Sequence, residues 1–194
     1  MRIWCVPSAQ QLDAASTDLI VFPEGIQREE VAKAESSHPN SIIVAAVVEG
    51  GLSRGLLLHR GKNRIDYLKV TGDGRTVGSG NIQQEPVYQF GEVCVGVLIC
   101  IDVDHVEFSS AVIEKVRSSS AKLKLMCVPA DMGYSWFTCE TLPSQKFGGI
   151  HVILCNHTRS KNHDFPCKSF VTDADGRKLV VQRDDKPIHA ELFY

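Results

Sequence analysis

Val93-Cys94-Val95-Gly96-Val97-Leu98-Ile99-Cys100-Ile101-Asp102 is an almost unbroken apolar run that stops at Asp102-Val103-Asp104-His105. It is rich in β-branched residues, too short to cross a membrane and bounded by turn chemistry. Such a run reads as a strand buried on both faces. A helix is expected next: Asp104 and Glu107 have capping-box spacing, and Phe108, Val112 and Val116 recur every fourth residue. Cys100 then lies where a central strand ends and the chain turns toward a helix start. Backbone N–H groups and a positive helix end there favour a thiolate. Taken alone, Cys100 reads equally as a small buried hydrophobe, the usual fate of a free cysteine.

Outward from this stretch, short apolar runs alternate with polar, helix-compatible segments. Arg2–Pro7 reads as a strand and Ser8–Ser16 as a short helix. Leu19-Ile20-Val21-Phe22 is a buried strand cut off by Pro23-Glu24-Gly25, and Gln27–Ser37 suits an exposed helix. Ile42–Val48, Gly55–His59 and Arg64–Val70, separated by Gly-rich turns, read as a meander of hairpins. Thr71–Asn81 carries four glycines without apolar periodicity and is expected to be a loop. Leu123–Pro129 and His151–Cys155 read as buried strands, Thr138–Gly149 as a helix and Ser169–Val181 as a hairpin. Helices that fall between buried strands imply sheets covered by helices, in the α/β or α+β class.

The length of 194 residues suits one domain, 1–194, with a sizeable core. Hydrophobic and charged fractions of 43% and 23% are those of an ordinary globule, and a formal net charge of −2 gives no reason to expect nucleic acid or an anionic membrane as partner. No apolar stretch approaches membrane-spanning length. Seven scattered cysteines, without any C-x-x-C, make a disulfide framework an unfavoured reading. A reduced, cytoplasmic protein is the simplest expectation.

Three residues invite chemistry. Glu24 follows a buried strand directly, and its Pro and Gly neighbours hold the carboxylate on a rigid strand end. The bland alternative is a solvated turn glutamate. Lys69, in Ile65-Asp66-Tyr67-Leu68-Lys69-Val70, shares a face with Ile65 and Tyr67 and lies on a strand whose two faces both read as largely apolar. It must either snorkel to water or meet a carboxylate. Cys100 is the third. Other signals are thinner. Cys155, His157, His163 and Cys167 match no common zinc spacing. Gly72, Gly74, Gly78 and Gly80 lack the Gly-Lys-Ser/Thr ending of a phosphate loop. A Cys–His elbow built on Cys100 and His105 would want glycine where this chain has Asp102. Trp136 and Phe137 suit either a pocket lining or the core.

Glu24, Lys69 and Cys100, in that order, resemble the carbon–nitrogen hydrolase (nitrilase and aliphatic amidase) superfamily. The similar pieces are Asp18–Glu24, Tyr67-Leu68-Lys69 and Gly96–Asp102, joined by Val128-Pro129-Ala130, Val152–Asn156 and Lys168–Gly176. The resemblance implies an α+β four-layer αββα sandwich, paired with a second copy as a homodimer or higher oligomer. It implies a thiol hydrolase acting on a small amide, or alternatively a nitrile, without cofactor or metal. Glu24 would be the base, Cys100 the nucleophile and Lys69, with the Ile101 backbone N–H, the oxyanion stabiliser; Asp131 and Trp136 would meet substrate. A catalytically silent binding or regulatory member is the other reading. One departure stands out. Members carry a second glutamate beyond the lysine that helps position substrate, whereas Thr71–Gly80 contains none, and Glu85 is poorly placed. The chain is also shorter than typical members, with loops around the pocket and the C-terminal tail expected to be reduced.

Overall fold

Two parallel cores, each flanked by antiparallel strands, make up the molecule. The computed structural model describes residues 1–6, 16–73, 76–133, 146–157, 167–183 and 186–193. In the first sheet, β1 (Arg2–Cys5), β2 (Leu19–Ile26) and β3 (Ile42–Glu49) are parallel, and β4 (Leu52–His59) and β5 (Lys62–Leu68) follow as a meander. A last strand, β12 (Ile188–Glu191), pairs with β1, giving the order β12-β1-β2-β3-β4-β5. The second sheet repeats the plan: β7 (Val93–Val97), β8 (Leu123–Ala130) and β9 (His151–Asn156) are parallel. Beside them, β6 (Val87–Phe90), β10 (Phe170–Thr172) and β11 (Lys178–Val181) complete the order β11-β10-β9-β8-β7-β6.

The strand residues alternate as a sheet covered on both sides requires. Leu19 and Val21 enter the large core shared with the second sheet, while Ile20 and Phe22 enter a smaller one on the outer face. That outer core is closed by α1 (Arg28–Ser37), which buries only Val31 and Ala34. Its start is set by a capping box between Gln27 and Glu30. On the far side α2 (Val106–Ser118) packs on β7 and β8 and buries Phe108, Val112, Ile113 and Val116. Each of these large side chains contributes about 1.5–3 kcal/mol by leaving water. The layers are therefore α1, first sheet, second sheet, α2, the αββα sandwich expected from the sequence.

Several expectations need correction. His105, not Asp104, caps α2: its Nδ1 accepts the Phe108 N–H. Cys100 does not sit at the start of α2 but opens a 3₁₀ turn, Cys100–Asp104, six residues before it. Strand β5 ends at Leu68, so Lys69 lies just past the ladder, and its outer face carries the exposed Asp66 rather than a second apolar surface. Strands β6 and β12 were not expected. Cys167 is disulfide-bonded, whereas Cys5, Cys94, Cys100, Cys127 and Cys155 are free thiols. The helices expected over Ser8–Ser16 and Thr138–Gly149 lie mostly outside the described residues.

Candidate active site

Glu24, Cys100 and Asp131 all stand at or just beyond the C-terminal ends of parallel strands, where open sheets place their ligands. The register of β2 against β3 shifts on both sides of Glu24, an irregularity that re-aims a side chain without breaking the sheet. Gly25 follows at φ +89°, a conformation open to glycine and costly to most other residues. His157, just past β9, holds the same bend from across the sandwich, with Nε2 2.6 Å from the Glu24 carbonyl oxygen. The Glu24 carboxylate is thus fixed and 4% exposed.

Lys69 reaches it from the first sheet's other side. Its ammonium is fully buried and donates to Glu24 Oε1 at 2.8 Å and to Asp73 Oδ2 at 2.6 Å. Burial pushes the ammonium toward losing its proton, but Glu24, the Cys100 sulfur and Asp73 outweigh that, and its pKa lies above the ordinary lysine value. A lysine in this position is a permanent cation held between two carboxylates.

Asp73 is the acidic residue that partners Lys69 where no glutamate follows it in Thr71–Gly80. It lies in the loop after Lys69, its side chain 11% exposed, and Oδ1 accepts from the Thr76 N–H and hydroxyl. The sequence signal was an acidic residue four positions after the lysine. In a loop without periodicity nothing marked it as buried.

Cys100 completes the cluster. Its backbone takes φ +48°, a left-handed conformation rare outside glycine, which costs on the order of 1–3 kcal/mol and marks functional turns. The thiol is pushed up to about 12, first by burial and then by the Glu24 charge, while Lys69 and a hydrogen bond from the Asp131 backbone N–H pull the other way. Backbone N–H groups do not offset burial, so the group leans to the thiol and needs a base. Its proton has a destination, since the Glu24 carboxylate lies close enough to act on the thiol and its buried Oε2 has no hydrogen-bond partner. Moving the proton within the pair keeps the pair's net charge unchanged, whereas losing it to water would leave two anions side by side.

The remaining residues fall around this centre. Ile101, half-buried, is the second residue of the 3₁₀ turn, where backbone N–H groups point away from the turn's own carbonyls. Asp131 is buried, and the segment it begins is pinned by Asn156, whose side chain exchanges hydrogen bonds with both the N–H and the carbonyl of Met132 and donates to Cys167 O. Trp136 lies outside the described residues. His105 Nδ1 is engaged in capping α2, and among the described residues no His/Cys/Asp/Glu group is arranged to hold a metal ion.

No protein-family model matches the sequence, and no curated protein matches it. Solved structures do. The chain is similar to XC1258 of Xanthomonas campestris, a CN-hydrolase superfamily protein, at 17% identity and a TM-score of 0.73, covering 98% of this chain and 89% of that one. It is similar to Saccharomyces cerevisiae Nit3, of branch 10 of the nitrilase superfamily, at 14% identity and a TM-score of 0.70, with the same coverage. An amidase of the nitrilase superfamily from Nesterenkonia matches at 20% identity and a TM-score of 0.68, over 97% of this chain and 88% of that one. At such identities the likeness establishes the fold, and the fold is that of the nitrilase superfamily.

Proposed function

We propose that this chain, built on the nitrilase-superfamily fold, is a carbon–nitrogen hydrolase that cleaves a small amide through a cysteine acyl-enzyme. The observation that carries the reading is the buried Glu24–Lys69 pair at 2.8 Å, placed against the Cys100 thiol. A structural ion pair has no need of a thiol beside it, nor of a strained backbone beneath that thiol.

The chemistry follows from the positions. Glu24 takes the Cys100 proton as sulfur attacks the carbonyl carbon. The carbonyl oxygen becomes an oxyanion facing the Lys69 ammonium and the Ile101 N–H, in a site dry enough to make that charge pairing strong. Collapse breaks the C–N bond, and the proton held on Glu24 leaves with the nitrogen as ammonia or an amine. Water then gives a proton to Glu24 and attacks the thioester, releasing the acid and restoring the thiol. Asp73 keeps the ammonium in place through both halves, so the lysine does not follow Glu24 when that carboxylate is neutralised. Substrate is held by the Asp131 segment.

Ammonia release measured across a panel of small amides and nitriles, with Cys100→Ala beside the parent, tests the reading. Release from an amide that vanishes in the variant is expected. Release that survives in the variant, or none from any compound, would contradict it.

A further inference from the structure

A second buried carboxylate lies on the far side of the nucleophile, and the chemistry above does not use it. Asp102 is fully buried two residues past Cys100. Its Oδ1 accepts from the Val70 N–H at 3.1 Å and the Thr71 N–H at 2.8 Å, and Oδ2 lies 3.1 Å from the same Val70 N–H. Those are the first two residues after Lys69. Tyr67, two residues before Lys69, lies 3.5 Å from Asp102 Oδ2 through its hydroxyl, and that hydroxyl accepts the Ile99 N–H at 2.6 Å. Ile99 immediately precedes Cys100. One connected set of hydrogen bonds therefore brackets the lysine on one sheet and the cysteine on the other.

The backbone makes this set decisive rather than incidental. Pairing of β5 with β4 ends at Leu68, and the Lys69 N–H makes a last bond to Ser53 O at 2.8 Å. From Val70 onward the chain turns off its own sheet, and its next two N–H groups go to Asp102 of the other sheet. Cys100, at φ +48°, is likewise held by no ladder; the turn under it is closed by the Asp102 N–H on Ile99 O at 2.9 Å. Room for the tyrosine is provided from below: a Cβ on Gly55 would come within 2.3 Å of the Tyr67 ring. Glycine is needed there for the approach of the ring, not for its dihedral angles.

We propose that Tyr67 and Asp102 are positioning residues that set the separation of the Lys69 ammonium from the Cys100 sulfur, joining the two halves of the sandwich at the site. The carboxylate is suited to this because both its oxygens accept and neither donates; an asparagine would turn an N–H₂ toward backbone N–H groups. Displacement of a reacting group by about 1 Å is enough to cost roughly a hundredfold in rate. The inference rests on Cys100 and Lys69 acting together, as read above.

Tyr67→Phe and Asp102→Asn test it, with site-resolved iodoacetamide labelling of Cys100 and Cys94 in the same molecules. Both variants are expected to lower the Cys100:Cys94 labelling ratio tenfold or more, and to lower kcat at least tenfold with KM within threefold of the parent. Tyr67→Phe keeps the ring and its packing, so it serves if Asp102→Asn does not fold. A fall in melting temperature with the labelling ratio and kcat unchanged would show a merely structural role and overturn the proposal. Parent protein that releases no ammonia, yet whose Cys100 labelling depends on Tyr67, would refute the hydrolase and leave the positioning role standing. A parent ratio near one would overturn both.

Discussion

Cys100 and Cys127 are both buried thiols, and they sit in opposite environments. Cys127 lies in β8 within the shared core, near Cys5. Burial pushes Cys127 well above the ordinary thiol range, and so it does Cys5. Cys100 is pushed up as well, for the same first reason, but a carboxylate, an ammonium and a backbone N–H surround its sulfur. Burial alone makes a thiol inert. What separates the two is the presence beside Cys100 of a base to take the proton and a cation to hold the charge that results.

The comparison is broken most sharply at the nucleophile. Cys100→Ala should lower turnover by at least ~10³-fold while leaving the fold intact. Cys127→Ala should do the reverse, costing about 1–2 kcal/mol in denaturant unfolding with turnover retained. Lys69→Met strips the cation from a buried carboxylate, and is expected to cost roughly 3–5 kcal/mol of stability as well as activity. Lys69→Met combined with Glu24→Gln should recover part of that stability, since Asp73 still lacks its cation, and none of the turnover.

Alkaline pH sharpens the same contrast from the side of folding. The Cys100 thiol is raised from 9.0 to about 12, so the unfolded chain ionises first and stability falls as pH climbs through that window. The full effect from this one group is about 4 kcal/mol at the limit. Cys5, Cys94 and Cys127 are also raised and act in the same direction. Melting temperature should hold steady up to about pH 9.0 and decline beyond it, less steeply in Cys100→Ala. The smallest effect is expected from Asp73→Asn. It keeps the Thr76 contacts and loosens Lys69, lowering kcat about tenfold to a hundredfold with little change in melting temperature.

These variants also mark what could be read before the structure. Strands β2, β7, β8 and β9 were legible because both faces are buried, and a run such as Leu123–Pro129 has no other stable use. The order Glu24, Lys69, Cys100 was legible through its likeness to the carbon–nitrogen hydrolase pattern; Glu24 and Cys100 lie at or beside the end of such a run, whereas Lys69 follows β5, whose outer face is exposed. Strands β6 and β12 were not: each spans four residues with half-exposed patterns that a loop would also show. Asp73, His157 and Tyr67 escaped for a different reason. Their roles depend on which loops meet across the sandwich, and nothing local distinguishes a buried partner of Lys69 from a polar loop residue. Asp102 was visible only as punctuation at the end of the nucleophile strand.

The most direct measurement is the pH dependence of iodoacetamide labelling at each free cysteine of the native protein, resolved by mass spectrometry between pH 6 and 9. Proton transfer within the Cys100–Glu24 pair predicts that Cys100 is modified first, at a rate nearly flat across that range, while Cys94 and the other core thiols, equally buried but without a base, react far more slowly and rise about tenfold per pH unit. Cys100 reacting no faster than Cys94, with the same steep rise, would show a thiol without a working base and contradict the account.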